Sequence, residues 1–237
     1  MPKQLFLVLN GKGGVGKSFF AVNFVQYLKD RGVPHVAIDT DNENSPLKRF
    51  HPEADYIRID REREIDKLFS ALEKNDLIVA DCRAASTDIF LRYFSSVDLF
   101  DVLAKLPATL TIISPINHEM DSVEQVRLLS EKLGKQCAYV VIKNQSHSEQ
   151  FDIYDQSRTR ARVLGELRGR EAVMPRLADW IVTLLNKNNL TITPAQMHEA
   201  IPFFDRQRLK IWQRQFYEHL DDVLSIPLPK QASTGGK

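Results

Sequence analysis

Residues 10 to 20, NGKGGVGKSFF, restrict the fold more than any other part of the chain. Gly11, Gly16, Lys17 and Ser18 fit the spacing G-x-x-x-x-G-K-[ST]. An apolar run, LFLVLN, precedes this glycine loop, and an amphipathic segment follows it. Glycines let the backbone curl so that successive N–H groups point inward at phosphate oxygens, and a helix N-terminus adds the positive end of its dipole. A strand, this loop and a helix in succession therefore predict a phosphate-binding loop rather than a flexible turn.

The side chains at the end of this P-loop predict the chemistry of its ligand. Lys17 should reach the β- and γ-phosphates of a bound nucleotide, because its ammonium can neutralise their charge. The Ser18 hydroxyl should ligate Mg²⁺, which prefers oxygen donors. The loop therefore indicates a nucleotide site that also holds a metal ion.

The rest of the chain alternates short apolar runs with amphipathic segments, the pattern of βαβ units around a parallel sheet. The predicted strands are 4–10, 35–40, 77–81, 109–115 and 137–144, with weaker candidates at 56–60 and 162–167. The predicted helices include 18 to about 31, 120–133, about 176–187 and 205–224. We predict an α/β, doubly wound, mainly parallel sheet flanked by helices, with C-terminal helices packed on it. Residues 1–228 are expected to form one domain, followed by a disordered tail at 229–237.

Composition limits the functional classes that need to be considered. The chain has 237 residues with 32 basic and 31 acidic side chains, so bulk charge does not favour coating of nucleic acid, although a local basic patch stays possible. Cys82 and Cys137 form no C-x-x-C, which indicates a reducing compartment and no zinc site or disulfide framework. No stretch approaches 18 consecutive apolar residues, so we expect a cytoplasmic protein.

The loop GKGGVGKS, with its additional Lys12, resembles the deviant Walker A motif of the ParA/MinD superfamily of ATPases. The resemblance implies that Lys12 crosses to the nucleotide of a second subunit, so that an ATP-bound homodimer encloses two ATP molecules with Mg²⁺. An independent argument is that two lysines in one loop repel each other unless each has an anionic partner, which such a dimer supplies. The alternative is a solvated surface lysine. The loop residues implied to contact the nucleotide are Gly11, Lys12, Gly13, Gly14, Val15, Gly16, Lys17, Ser18 and Phe19.

Carboxylates at the ends of two predicted strands complete the expected site. Asp39 and Asp41 lie where the ligand sites of parallel sheets form. The resemblance implies that Asp39 lies near the metal and that Asp41 positions the attacking water, which makes Lys12, Lys17 and Asp41 the implied catalytic residues. The alternative is a turn, DTDNEN, whose side chains cap the backbone. Asp81 ends the run LIVAD, and a carboxylate there can hold Mg²⁺ through a water.

Two positions depart from the ParA/MinD pattern, and a third, Asn144, has two interpretations. The run Asp81-Cys82-Arg83 replaces the D-x-P of the family, in a region that the family moves with nucleotide state. Phe19 replaces a second hydroxyl that contacts the α-phosphate in the family, a loss of about 0.5–1.5 kcal/mol. Asn144 either pairs with the adenine edge, as the resemblance implies, or is a turn residue at a strand end.

Two basic segments suggest partners. Five arginines of SRTRARVLGELRGR could follow a phosphate backbone, as family members do on non-specific DNA, or form a solvated face. Leu209, Trp212, Phe216 and Leu220 form a helical stripe beside four basic residues. This pattern is typical of a helix docked on the core, of a surface that contacts DNA or a partner, or of a membrane helix. Membrane binding is not favoured, because Glu218, Asp221 and Asp222 follow.

A narrower resemblance concerns function. The stretches RQRLKIWQRQFYEHLDDVL, DTDNENSPLKRF and DCRAAS are similar to ParA-like proteins of plasmid conjugative-transfer regions, the TraL type. We therefore expect an ATPase switch whose dimer binds DNA and a partition or transfer partner protein. The alternatives are a weakly hydrolysing, nucleotide-dependent scaffold and a MinD-like membrane-positioning ATPase.

Overall fold

A computed structural model describes residues 2–41 and 44–226. The described residues form seven strands: β1 Lys3–Val8, β2 Val36–Asp39, β3 Asp55–Tyr56, β4 Leu77–Asp81, β5 Ala108–Ile116, β6 Ala138–Asn144 and β7 Arg170–Met174. They also form eleven α-helices: α1 Lys17–Asp30, α2 Pro46–Phe50, α3 Glu62–Lys74, α4 Thr87–Ser96, α5 Leu99–Lys105, α6 Met120–Leu133, α7 Asp152–Asp155, α8 Arg158–Ala161, α9 Asp179–Asn188, α10 Ile192–Ala195 and α11 Phe203–Val223. The predicted tail at 229–237, the end of the predicted domain and two residues of DTDNEN lie outside the described residues.

The strands form one sheet in the order β3-β2-β4-β1-β5-β6-β7, and every described pair is parallel. This confirms the predicted doubly wound α/β fold. Register places Asp81 beside both Val8 and Asp39, so the carboxyl ends of β1, β2 and β4 meet at one edge. The glycine loop leaves β1 at that edge, where such sheets bind ligands.

Helices cover both faces of the sheet, and each face has its own apolar core. On one face α1, α9 and α11 pack against the strands through residues such as Phe20, Phe24 and Phe216. On the other face α3, α4 and α6 contribute residues such as Leu68, Phe90 and Val126. Because both faces are buried, a strand such as β4 is apolar from Leu77 to Ala80, without the alternation of a half-exposed strand.

The two weaker strand predictions differ from the structure. Residues 162–167 were expected to be a strand, and this is wrong: Arg162–Glu166 is a π-helical turn that continues α8, and the strand is β7, which follows it. Ser157 starts this helical segment by accepting a hydrogen bond from the Arg160 N–H, and the adjacent apolar pair alone could not distinguish helix from strand. The other candidate, 56–60, is reduced to the short β3.

The C-terminal helix packs on the sheet, as expected of a docked helix. The stripe Leu209, Trp212, Phe216 and Leu220 is buried in the core of that face. At the far end of α11 the Tyr27 hydroxyl donates to Asp221, 2.6 Å away. Within the described part of the chain, no helix is long and apolar enough to cross a bilayer.

A buried histidine joins α1 to the end of α2. His51 is 1% exposed; its Nε2 lies 2.9 Å from the Val22 carbonyl and its Nδ1 lies 2.8 Å from the Lys29 ammonium. Because an ammonium can only donate, the ring is neutral and Nε2–H donates to Val22. Burial first, and the charge of Lys29 in addition, lower the pKa of His51 to about 4.

This histidine predicts a pH dependence of stability. The unfolded chain takes up the His51 proton below its ordinary pKa of about 6.5, whereas the folded protein does so only near 4. The stability that His51 contributes is therefore present above pH 6.5 and is lost as pH falls towards 4, by about 1.4 kcal/mol per pH unit. We expect the stability difference between wild type and His51→Gln to shrink over that range in urea unfolding. The exposed His147→Gln should show no such change, and a constant difference for His51→Gln would contradict the assignment.

Candidate nucleotide-binding site

The glycine loop runs from the end of β1 to the first turn of α1, and its backbone needs glycine at its last bend. Gly16 has φ of 93°, in the left-handed region. A Cβ there would also lie 2.3 Å from the Asn144 Nδ2 atom, which any other residue would have to displace. The loop conformation is therefore fixed by its own sequence and by the end of β6.

Asn10 anchors the start of the loop and was missed by the sequence reasoning. Its Nδ2 donates to the carbonyls of Pro115 and Ser122, each 3.0 Å away, and its Oδ1 accepts the Lys12 N–H at 3.0 Å. The side chain is fully buried. The signal in the sequence was a polar residue closing an apolar strand, because the two carbonyls that its amide group contacts lie more than a hundred positions further along the chain.

Lys17 crosses the inside of the loop. Its side-chain nitrogen donates to the Lys12 carbonyl at 2.8 Å, and the residue is 7% exposed. Burial lowers the pKa of Lys17, and the nearby carboxylates Asp81 and Asp41 oppose that shift. The Lys12 carbonyl is the acceptor that the described residues give this ammonium, which has three donors and so retains capacity for anionic oxygens.

Lys12 has anionic partners within its own chain. Its Nζ lies 3.0 Å from Asp121 Oδ2 and 3.2 Å from Glu119 Oε2, at the start of α6. Both contacts raise the pKa of Lys12, with Asp121 contributing first. The chain itself therefore supplies anionic partners to Lys12, so the repulsion between the two lysines does not by itself require a dimer. The crossing of Lys12 to a second subunit stays a prediction.

The Asp81 carboxylate is buried at the end of β4. It is 1% exposed, and neither oxygen has a hydrogen-bond partner of normal geometry in the described part of the chain. Burial raises the pKa of Asp81 to about 7, and the neighbouring Ser18 hydroxyl and Lys17 ammonium oppose the rise. An unpartnered buried carboxylate beside the P-loop serine fits Mg²⁺, which binds oxygen donors and would lower that pKa.

Asp39 lies beside Asp81 but its oxygens are engaged. Oδ1 accepts the Asp41 N–H at 2.9 Å and Oδ2 accepts the Lys48 N–H at 3.0 Å, so this carboxylate caps the turn and the start of α2. Burial raises the pKa of Asp39, and these two backbone bonds oppose the rise. Asp41 is half-buried, and its carbonyl accepts the Ser45 hydroxyl at 2.7 Å. The capping alternative therefore describes these contacts, and a role of Asp39 near the metal stays a prediction.

Comparison with known proteins agrees with this geometry. Residues 6–210 match the family of the CobQ/CobB/MinD/ParA nucleotide binding domain. The chain belongs to this family. It is similar to Protein MobD of Acidithiobacillus ferrooxidans, 25% identical over 229 residues, which cover 94% of this chain and 99% of that protein. It is also similar to a Protein TraL of Escherichia coli, 26% identical over 240 residues, 92% of this chain and 97% of TraL.

A solved structure supports the fold. The septum site-determining protein MinD complexed with Mg-ADP from Pyrococcus horikoshii OT3 superimposes with a TM-score of 0.53, at 16% identity, over 94% of this chain and 96% of that chain. At this identity the likeness concerns the fold alone. The ParA/MinD resemblance and the TraL-like relatives that the sequence indicated are thus confirmed.

Phe19 differs in its environment from the hydroxyl residue expected in the ParA/MinD family. Its half-buried ring packs against Trp212 of α11, with 5.7 Å between ring centroids and an interplanar angle of 72°. The side chain therefore offers no hydrogen bond to a nucleotide, and a contact there would have to come from its backbone. The Phe19 ring instead connects the first turn of α1 to the C-terminal helix α11.

The Asn144 side chain makes hydrogen bonds to the P-loop and to the residues that follow β6. Its Nδ2 donates to the Val15 carbonyl at 3.0 Å and its Oδ1 accepts the Ser146 N–H at 3.1 Å. These contacts fit the strand-end alternative. Pairing with adenine, as the ParA/MinD resemblance implies, stays a prediction and would require at least one of these bonds to be exchanged.

The segment after β4 lies against the start of the P-loop. The Ala85 N–H donates to the Gly11 carbonyl at 2.9 Å, and the Arg83 N–H donates to the Thr40 hydroxyl at 3.0 Å. A Cβ on Gly11 would lie 2.3 Å from Gln125 Oε1, so the Gln125 side chain of α6 packs closely against the backbone of Gly11. The segment that lacks the family proline is therefore tied to both the loop and the end of β2.

The burial of Asp81 predicts that this carboxylate lowers the stability of the metal-free protein at neutral and alkaline pH. Its ordinary pKa is about 4 and its folded value about 7, so its stability contribution is lost as pH rises through this range and the penalty is complete above pH 7. We expect Asp81→Asn to stabilise the metal-free protein at pH 8, with a gain that grows by about 1.4 kcal/mol per pH unit between pH 4 and 7. Thermal unfolding across pH measures this.

The same variant should lose most of the additional stability that Mg²⁺ with nucleotide gives the wild type. The exposed Asp76→Asn is the control and should change neither property. A wild type that is as stable as Asp81→Asn at pH 8 would contradict the raised pKa.

Proposed function

We propose that this protein is an ATP-dependent dimerising switch that hydrolyses ATP slowly and acts in plasmid partition or conjugative transfer. The observation that carries the proposal is a P-loop in which buried Lys17 and unpartnered Asp81 flank Ser18, with a second lysine, Lys12, at the loop entrance. Family membership supports nucleotide binding, and the fold neighbour MinD is complexed with Mg-ADP. The TraL relative supports the transfer context.

The first step is binding of the triphosphate by the loop. We infer that phosphate oxygens take the place of the Lys12 carbonyl as partners of Lys17, because the ammonium has donors to spare and phosphate is the stronger acceptor. The N-terminus of α1 follows directly on the loop, and the N–H groups and dipole of a helix N-terminus favour anions. Mg²⁺, held by Ser18 and through water by Asp81, would neutralise charge on the phosphates.

The second step is hydrolysis. Asp41 follows β2 at the edge where the strand ends meet, and we assign it the positioning of the attacking water, as the resemblance implies. Lys12 of a second copy would stabilise charge at the transferred phosphate, in the manner of an arginine finger. To do so it must leave Glu119 and Asp121.

The proposed partners are a second copy of this chain, DNA and a partition or transfer protein. The basic segment after α7 gives DNA binding little support, since Arg160 lies 2.8 Å from Glu171 and Arg162 lies 2.8 Å from Glu166. Arg158 and Arg168 are exposed. We therefore propose that non-specific DNA binding requires the dimer and does not depend on this segment alone. We expect the affinity for DNA to fall steeply with salt concentration.

A nucleotide-dependent scaffold that hardly hydrolyses ATP is the second candidate. The replacement of a hydroxyl by Phe19, whose ring packs on Trp212, and of the family proline by Arg83 favours it. Single-turnover ATP cleavage separates the two proposals, because Asp41-dependent cleavage would exclude the scaffold.

Lys12→Ala tests the switch. We expect the variant to bind ATP nearly as well as wild type, because Lys17 is intact, but to stay monomeric and lose at least about 10³-fold in cleavage rate if the lysine acts as a finger. Light scattering after gel filtration in ATP and in ADP measures the first property, and single-turnover cleavage the second. Normal dimerisation and cleavage by Lys12→Ala would remove the basis for the switch.

The acidic partners of Lys12 provide a test in the opposite direction. Replacing both by amides, Glu119→Gln with Asp121→Asn, should free Lys12 and lower the protein concentration needed for ATP-dependent dimerisation by about two- to fivefold, the range expected for exposed ion pairs. Analytical ultracentrifugation measures this concentration. Glu124→Gln with Glu131→Gln, on the same helix, is the charge-matched control. Weaker dimerisation of the first variant would show that these acids serve the dimer instead.

A further inference from the structure

A cavity beside the first turns of α1 has features that the nucleotide site does not explain. It lies between α1, α2, α9 and the start of α10, and its volume is about 240 Å³. Most of its lining is apolar and comes from Phe19, Val22, Pro46, Phe50, Val182, Leu185, Leu190 and Ile192. The polar part of the lining comes from Ser18, Asn23, Arg49, Asn186 and Thr191. An apolar wall with a few polar groups is the usual form of a small-molecule site.

This cavity, which we call the α1–α9 cavity, is distinct from the place assigned to the nucleotide. Ser18 and Phe19 line it, but Lys17 and the glycines of the P-loop do not. Asn144, which the ParA/MinD resemblance assigns to adenine, is not a lining residue and bonds to the P-loop at the end of β6. The other lining residues of α1, such as Asn23, belong to the next turn of the helix. The cavity therefore extends along α1, away from the loop.

Arg49 gives the α1–α9 cavity a positive charge. Its Nη2 donates to the Asn186 side-chain oxygen at 2.6 Å, and its guanidinium lies over the Phe50 ring, 4.7 Å from the centroid. Both partners are neutral, and in the described part of the chain no carboxylate forms an ion pair with this guanidinium. The guanidinium is therefore held at the cavity with its charge uncompensated. Arginine in such a position favours carboxylate oxygens, which can accept two of its N–H groups at once.

The volume of the α1–α9 cavity limits the size of its ligand. A cavity of about 150 Å³ is large enough to bind benzene, so this one has room for roughly eight to ten carbon atoms. An α-helix is about 10–12 Å across with its side chains and rises about 5.4 Å per turn, so even one turn exceeds the volume available. The space therefore suits a small molecule and not a helical segment of a protein.

We propose that the α1–α9 cavity binds a small amphiphilic anion, an apolar chain or ring system that carries a single carboxylate. The apolar part would lie against Val182, Leu185 and Ile192, and the carboxylate would bind Arg49. Removal of the apolar part from water would supply most of the affinity, and the guanidinium would select the charge. This inference goes beyond the proposed ATPase function and does not depend on it.

Three ligands with the same eight-carbon chain test the charge preference: octanoate, 1-octanol and octylamine. We expect octanoate to bind the nucleotide-free protein saturably at one site in isothermal titration calorimetry. The neutral 1-octanol should bind about tenfold more weakly, because it forms no charged hydrogen bond with Arg49. Octylamine should bind more weakly still, because its ammonium would face the guanidinium.

Variants test the position of the bound anion. Arg49→Gln keeps a donor for Asn186 but removes the charge, so it should lower the affinity for octanoate by about tenfold and leave that for 1-octanol unchanged. The exposed Arg63→Gln on α3, at the other face of the sheet, makes the same change in net charge and should alter the affinity less than about twofold. Val182→Trp fills part of the cavity and should weaken octanoate and 1-octanol alike.

Four results would each overturn the proposal: no saturable binding of octanoate, equal binding of octylamine, the same affinity in Arg49→Gln as in Arg63→Gln, or octanoate binding that Val182→Trp leaves unchanged. A titration with saturating ATP and Mg²⁺ separates the cavity from the nucleotide site. Octanoate should still bind there, and its complete displacement would place it in the nucleotide site and overturn the proposal as well. The nucleotide-free titrations stay decisive even where the proposed ATPase activity fails, because they involve no nucleotide.

Discussion

Asp81 is buried at the carboxyl end of β4, and its carboxylate has no hydrogen-bond partner in the described part of the chain. A charged group in that position is costly unless a cation or a proton compensates it. The neighbouring Lys17 ammonium compensates only in part, because it is itself desolvated and donates to the Lys12 carbonyl. The site is therefore electrostatically incomplete as folded, and a metal ion with phosphates is the kind of ligand that completes it.

Weak contacts surround this buried carboxylate. Lys12 is held by two exposed carboxylates at the start of α6, and Asn144 and Ala85 hold the loop through single hydrogen bonds. Each such contact contributes little net free energy, so the loss of one of them need not unfold the neighbouring helices. By contrast, Asn10 is fully buried and makes three hydrogen bonds, which fix the start of the loop.

The sequence predicted the local features and missed those that depend on distant partners. The P-loop, β4 and the span of α6 follow from spacing, apolar runs and helical periodicity, so they could be read directly. The partners of Lys12 lie more than a hundred residues away and no pattern connects them to the loop. Phe19 was read as a lost hydroxyl, but its ring has a positive role because it packs on Trp212. The segment 162–167 was misassigned because a short apolar pair has no period of its own.

The packing of Phe19 on Trp212 connects the C-terminal helix α11 to the end of the P-loop. In a family in which the loop lysine is followed by two hydroxyl residues, the second contacts the nucleotide; here that position contacts α11 instead. Trp212 joins Phe19, the Pro175 carbonyl after β7 and a groove beside α9, so the first turn of α1, the end of the sheet and an exposed surface share one side chain. Close-packed interiors transmit small displacements because they leave no free volume to absorb them. Trp212 therefore packs on the residue that follows Ser18 while it also lines this groove beside α9, so α11 is joined directly to the first turn of α1.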